Sequence, residues 1–243
     1  MEFQIFENDA LLASAAADEV CSLLQKKPDA LLCIAAGHSS LGVFQKLIQR
    51  FQKGEVDFSQ AGFAAMDEWL GMNETTPGSC GDFLEKNFLS RVNFPPERVR
   101  LVNGKAAELE TECREVQENI QAAGGLDLIL LGVGMNGHLA LNEPGVDFSL
   151  SVHTTQLDSV TQQVGTKYFE DAPQLTGGVT IGIADIAAAK RAILLVNGEK
   201  KSRIVKEVMD SSVTNRLPAT ALKEMPQAAI WCDRAAASLL SGE

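Results

Sequence analysis

The sequence predicts an α/β fold, a three-layer αβα sandwich on a mostly parallel, Rossmann-like sheet. Short apolar runs of strand length alternate with helical periodicity from one end to the other, which is how parallel strands covered by helices on both faces read in sequence. The 243 residues suffice for one large core, and no internal repeat, low-complexity tract or long Pro/Ser/Gly linker divides them, so residues 1–243 are expected to form one domain.

The elements follow in order. FQIF (3–6) is a strand. Residues 9–25 carry Leu11, Leu12, Ala15, Ala16, Val20, Leu23 and Leu24 on one helical stripe, with Pro28 as a stop. ALLCIAA (30–36) is a continuous apolar run, hence a buried strand, and a helix over 39–53 opens on Ser39 and Ser40 and ends before Gly54. The pattern continues with a strand at 62–66, helices at 79–90 and 106–122, and strands at 126–133, 177–183 and 191–196. A helix over 199–210, a strand at 228–232 and a helix over 233–240 complete it.

Composition narrows the function classes. An apolar fraction of 45% and a charged fraction of 22% are those of an ordinary globular chain. Lys plus Arg number 21 against 32 Asp plus Glu, a net charge of −11, which disfavours a nucleic-acid-binding surface and requires any anionic ligand to be held by a local cluster. The five cysteines are odd in number and widely spaced, without a C-x-x-C pair. They read as free thiols in a reducing compartment. No basic residue precedes Lys26, and no run approaches the roughly 18 apolar residues of a membrane span. A cytoplasmic protein acting on a small molecule, with no membrane and no nucleic-acid partner, is expected. A homo-oligomer is allowed.

In parallel sheets, ligands bind where strands end at their carboxyl edge, and the polar residues of this chain collect at those exits. AAGHSS, after the second strand, places Gly37, His38 and Ser39 at a helix start, where free N–H groups attract an anion. A glycine turn with a serine cap would look the same. MDEWLG places Asp67 and Glu68 at the next exit, where a partly dry carboxylate serves as a proton-transfer base and a wet one is a simple acidic turn. GVGMNGHLALNEPG (132–145) presents Asn136, His138 and Glu143 on a glycine-bent backbone, with Pro144 pushing Glu143 toward an extended conformation. A neutral imidazole oriented by a carboxylate moves protons near neutral pH. Lys167 in TKYFE, and Lys200 and Lys201 in NGEKK, are candidate point charges for a phosphate, although exposed lysines on helices are routine.

Taken together, MDEWLG, TPGSCGDFLEKNF, GVGMNGHLALNEPG, KYF and NGEKK, in that order, resemble the aminosugar-6-phosphate deaminase family, the glucosamine-6-phosphate deaminases and their galactosamine-6-phosphate relatives. The resemblance covers nearly the whole chain, and the loop ending in NEPG is its most specific part. It implies that Asp67 moves a proton from carbon 2 to carbon 1. It implies that His138, oriented by Glu143, opens the sugar ring, and that Gly37, His38, Ser39, Lys167 and Lys201 hold the phosphate. No metal or organic cofactor is implied, since the substrate's amine stabilises the intermediate.

The chain departs from the family pattern in three places. Asn136 stands where glucosamine-type members usually have aspartate, which resembles the galactosamine type and suggests galactosamine 6-phosphate as the preferred substrate, with glucosamine 6-phosphate next. His38 replaces the second glycine of the phosphate loop. His153 and Thr155 stand where allosteric members carry a basic pair, which suggests an unregulated enzyme. Two other classes compete. A 6-phosphogluconolactonase-like hydrolase shares the glycine-rich loop but continues without NEP. A non-catalytic sugar-phosphate sensor should lack the acid and base groups and carry a DNA-binding module, for which this chain has no spare segment.

Overall fold

A computed structural model describes residues 1–169 and 173–240, with Tyr168 described by its backbone. Glu170, the last residue of TKYFE, therefore lies outside the described residues. The elements run β1 (Glu2–Phe6), α1 (Asp9–Lys26), β2 (Leu31–Ile34), α2 (His38–Gln52), β3 (Gly62–Ala64), β4 (Asp67–Trp69), α3 (Cys80–Asn87) and β5 (Val99–Arg100). They continue with α4 (Leu109–Ala122), β6 (Leu128–Leu131), β7 (His153–Gln156), α5 (Ser159–Gly165), β8 (Gly177–Thr180), α6 (Ile183–Ala188), β9 (Ala192–Val196), α7 (Ser202–Asp210) and β10 (Ala228–Asp233).

The expected α/β architecture is present. Seven strands form a parallel sheet in the order β1-β10-β9-β6-β2-β3-β5. The interior strands β2, β6 and β9 are buried along their whole length, which is why they read as unbroken apolar runs rather than alternating ones. The chain leaves β2 toward β3 and β5, then returns to lay β6 on the other side of β2. This reversal between β2 and β6 is where an open α/β sheet leaves a crevice at its carboxyl edge.

Several expectations are corrected. The run at 62–66 ends as a strand at Ala64, and the chain then turns so that Asp67–Trp69 becomes β4 of a second sheet, ordered β4-β8-β7 and antiparallel throughout. The strand at 177–183 belongs to this second sheet and stops at Thr180, with Ile183 already opening α6. Residues 234–239 form turns rather than a helix. The Asp233 carboxylate explains this, since it accepts both the Ala236 N–H at 2.7 Å and the Gly198 N–H at 3.1 Å, while the Arg234 N–H donates to the Phe6 carbonyl. The segment is held across three strand ends and does not coil on itself. The short elements β4, β5, β7, α5 and α6 carry too few residues to show a period, and the sequence reading has none of them.

At the amino edge of the sheet, Asp127 is 3% exposed and gathers three donors: Lys27 Nζ at 2.6 Å, Lys190 Nζ at 2.7 Å and the Leu31 N–H at 2.8 Å. It thereby ties the end of α1, the start of β2 and the turn before β9 to the start of β6. Burial raises its pKa, but the two lysines and the N–H outweigh burial and leave it below the usual carboxylate value. Its stabilisation is therefore full above the unfolded-state value and disappears as pH falls through the lower folded-state value. Asp127→Ala should cost about 2 kcal/mol, the scale of a lost charge-assisted hydrogen bond with an N–H left unpaired. Urea unfolding at neutral pH measures this, and the difference from the native chain should shrink as the pH is lowered into the carboxylate range.

Candidate active site

Above the crossover between β2 and β6 lies a cleft of about 670 Å³. Its walls come from four strand exits. The exit of β2 supplies Gly37, His38 and Ser39, the exit of β6 supplies residues 132–135 and His138, the exit of β9 supplies Asn197 to Lys201, and the turn from β3 into β4 supplies Asp67. The start of α3 adds Cys80, and α5 with the turn after it adds Thr161, Val164 and Lys167.

One end of the cleft is cationic. Gly37 precedes α2 and has no side chain to occupy the first N–H groups of that helix. Around this helix start stand His38, Ser39, Lys167 and Lys201. Lys201 donates to the Val133 carbonyl at 2.6 Å, which fixes its ammonium against the glycine-rich loop. Burial, and then the charge of Lys167, push the Lys201 ammonium down to about 8. Lys167 is likewise lowered by burial and by Lys200, and His38 by burial and by Lys167. These bases crowd and depress one another, so an anion bound among them gains from every one. In a chain of net charge −11, this is the local basic pocket that an anionic ligand requires.

The same cleft is also lined by a carboxylate and an imidazole, Asp67 and His138. Asp67 opens β4, and burial raises its carboxyl to about 6 despite the Cys80 thiol and the His138 ring, which favour the charged form. Its neighbour Glu68 points the other way, as alternation along a strand demands. It is 1% exposed and accepts the N–H groups of Trp69 at 2.9 Å, Cys80 at 3.0 Å and Gly81 at 2.8 Å. Of the two adjacent carboxylates, Glu68 is thus a structural cap and Asp67 the group facing the cleft.

The loop after β6 folds back on itself. The Gly134 N–H donates to the His138 carbonyl and the Gly137 N–H to the Gly134 carbonyl. Gly137 takes φ +82°, a conformation that glycine adopts without strain. Gly134 lies directly under the imidazole of His138, so that any Cβ there would collide with the ring. Asn142 is fully buried and donates to the carbonyls of Leu139 and Ile181, fastening the loop to the exit of β8. His138 Nδ1 lies 3.0 Å from Thr161 Oγ1 and 3.5 Å from Glu143 Oε2, and Asn136 Nδ2 donates to Glu143 Oε2 at 2.8 Å. Burial raises Glu143, but contacts from His138, Thr161 and Asn136 outweigh burial and hold it below the ordinary value. With Nδ1 so engaged, Nε2 is the ring nitrogen left for the cleft.

Of the residues nominated from the sequence, Gly37, His38, Ser39, Asp67, His138, Lys167 and Lys201 line this one cleft. Asn136 and Glu143 sit behind the imidazole. Two participants escaped the sequence reading. Thr161 lies on α5, too short to show a period, and Cys80 entered only as part of TPGSCGDFLEKNF, without a place at the site. The half-buried setting of Asp67 is directly measurable: in a carboxyl carbon NMR titration, its resonance should move with a midpoint near 6. A midpoint near 4 would show that water reaches the group freely.

A model of the family of glucosamine-6-phosphate isomerases and 6-phosphogluconolactonase matches residues 7–231 of this chain. A glucosamine-6-phosphate deaminase of Thermoanaerobacter pseudethanolicus is 34% identical over 244 residues, covering 100% of this chain and 96% of its own. Another, of Clostridium tetani, is 35% identical over 241 residues, covering 99% and 100%. A solved structure of a monomeric glucosamine-6-phosphate deaminase superposes with a TM-score of 0.95 at 30% identity, covering 98% of this chain and 100% of that one. A 6-phosphogluconolactonase from Thermotoga maritima superposes with a TM-score of 0.74 at 19% identity, a likeness of fold alone. Matched over nearly its whole length in sequence and in structure, this chain belongs to the glucosamine-6-phosphate isomerase/6-phosphogluconolactonase family.

Proposed function

We propose that the chain is an aminosugar-6-phosphate deaminase that converts a hexosamine 6-phosphate and water to the ketose 6-phosphate and ammonia. The observation that carries this reading is that one cleft is lined both by the basic residues at the start of α2 and by Asp67, raised to about 6, with His138. A phosphate held by the basic residues would bring the sugar to Asp67 and His138, and fixing a reactant in this way is itself a large part of catalysis.

The chemistry follows from the groups present. His138 accepts the proton of the anomeric hydroxyl and returns one to the ring oxygen, breaking the bond between carbon 1 and the ring oxygen. Glu143 and Thr161 hold the ring for this exchange. Asp67 takes the proton from carbon 2 of the open-chain amino aldehyde while oxygen 1 takes one from the substrate's own ammonium group, leaving an enolamine. It delivers that proton to carbon 1 and so produces the imine of the ketose. Water adds to the imine carbon and ammonia leaves. A carboxylate near 6 suits both halves of this transfer, because it is ionised at neutral pH yet basic enough to take a proton.

Glucosamine 6-phosphate is supported as substrate by the names of the deaminases above. The preference for galactosamine 6-phosphate rests on Asn136, whose amide meets Glu143 and Thr161 rather than the cleft. The residue therefore acts on the ring-opening group, and assay of both epimers side by side decides between them. Both 6-phosphates should be tested for ammonia release, with the free hexosamines and 6-phosphogluconolactone as controls. Turnover of the lactone without ammonia from either aminosugar phosphate would replace this reading with the hydrolase one.

Two variants separate binding from chemistry. Lys201→Ala removes one charged contact to the phosphate, so KM should rise about 10-fold or more with kcat less affected. Asp67→Asn keeps the shape but takes no proton, so kcat should fall by roughly 10²- to 10⁴-fold while KM changes little. Exchange of the carbon 2 proton with solvent deuterium should be lost in Asp67→Asn. Exchange at the native rate would move the base role to another carboxylate.

A further inference from the structure

We infer that Thr161 is a positioning residue for His138: its hydroxyl, and not the Glu143 carboxylate, accepts the Nδ1–H of the imidazole and so keeps Nε2 unprotonated toward the cleft. The inference rests on the reading of His138 as the group that opens the sugar ring, because a neutral imidazole accepts a proton only at the nitrogen that carries none. Two oxygens compete for Nδ1. Thr161 Oγ1 lies at 3.0 Å, within hydrogen-bonding range, and Glu143 Oε2 at 3.5 Å, beyond the usual span of an N–H···O bond. Asn136 keeps the carboxylate at that distance, since its Nδ2 holds the same Oε2 at 2.8 Å.

Either partner of the contact between Thr161 and His138 can carry the shared proton, and the carboxylate decides between them. Glu143 is held below the ordinary carboxylate value and is charged at neutral pH. A negative charge 3.5 Å from Nδ1 favours a proton on that nitrogen over a bare lone pair. Nδ1–H then donates to Thr161 Oγ1, and Glu143 acts on the ring through its charge rather than through a direct bond. Thr161 is seated firmly enough to serve. It is 5% exposed and lies one helical turn before Gly165, and these two residues form the buried face of α5. Asp158 caps the start of that helix by accepting the Val160 N–H at 2.8 Å, and Gln162 Nε2 donates to the Leu157 carbonyl at 3.0 Å. At the other end, Gly165 lies beside Trp69 and so close to Leu175 that a Cβ would collide with it. Trp69 stands two residues from Asp67 on β4, so the strand that carries the proposed base also seats the helix that supports the imidazole.

Nitrogen NMR of the histidine ring reads this without substrate, since protonated and bare ring nitrogens resonate far apart. In the native chain, at a pH where the ring is neutral, His138 should carry its proton on Nδ1. Thr161→Val keeps the shape and removes the acceptor, so the Nε2–H form should become populated, and kcat should fall about 10-fold or more with KM little changed. Thr161→Ser keeps the hydroxyl and should restore both the Nδ1–H signal and most of kcat. Urea unfolding shows that the variants keep the fold, and Thr161→Ala, which adds no bulk, replaces the valine variant if valine disturbs α5. A native ring protonated on Nε2, or a ring that stays protonated on Nδ1 once the hydroxyl is removed, overturns the inference. A ring that shifts as expected, in a chain that releases ammonia from neither aminosugar phosphate, would uphold the hold of Thr161 on His138 and remove the deaminase reading alone.

Discussion

The site depends on the parallel alignment of the four strands β9, β6, β2 and β3. Parallel neighbours all finish at the same edge of a sheet, so the exits of β2, β3, β6 and β9 open side by side, although they are far apart in sequence. The return of the chain from β5 to β6 then parts the loops that follow β2 and β6, and the cleft occupies the gap. An antiparallel arrangement of the same strands would put half of these loops at the far edge. The buried runs LLCI, LILL and AILLV, whose removal from water drives sheet formation, thus also decide that His38, His138 and Lys201 share one cavity.

Within that cavity, small differences in hydrogen bonding set large differences in character. Asp67 and Glu68 are adjacent in sequence, yet Glu68 is buried against three N–H groups while Asp67 is half-buried and faces the cleft. Glu143 is buried too, but donors from three side chains hold it below its ordinary value. Three carboxylates in one region therefore sit in three environments: one caps a helix, one is raised to about 6 at the cleft, and one is held charged behind an imidazole. This separation of environments is what lets groups of one chemical type divide the work of a reaction.

The supports of the site and those of the fold lie at opposite edges of the sheet. Asp127 ties the amino edge together with three donors. The carboxyl edge bears the imperfections: Ala140 sits at φ 53°, and among the described residues Glu143 Oε1 and Asn142 Oδ1 are buried without a hydrogen-bond partner. A buried unpaired acceptor costs about 1–3 kcal/mol, and such costs gather at functional sites because the surrounding structure over-determines them. The loop from Gly134 to Glu143 persists in this conformation because Asn142 clamps it to the exit of β8 and because Gly137 and Gly134 admit its curvature and its imidazole.

The sequence by itself determined the α/β class, the buried strands and the long helices, because burial on both faces and a 3.6-residue period leave marks that need no tertiary context. It also determined which residues were chemically equipped, since strand exits in such a sheet are the places where polar side chains meet a ligand. The tertiary structure alone decided the rest. The short strands β4 and β7 form only because they pair with β8, and the turns at 234–239 hold only because Asp233 reaches Gly198 and Ala236. By residue type alone MDEWLG offers two like carboxylates, of which only the family resemblance picks Asp67, and the approach of α3 to Glu68 is what makes them physically unequal. Thr161 carries no signal in the chain, because a hydroxyl beside an imidazole is made by packing between segments that the sequence lists far apart.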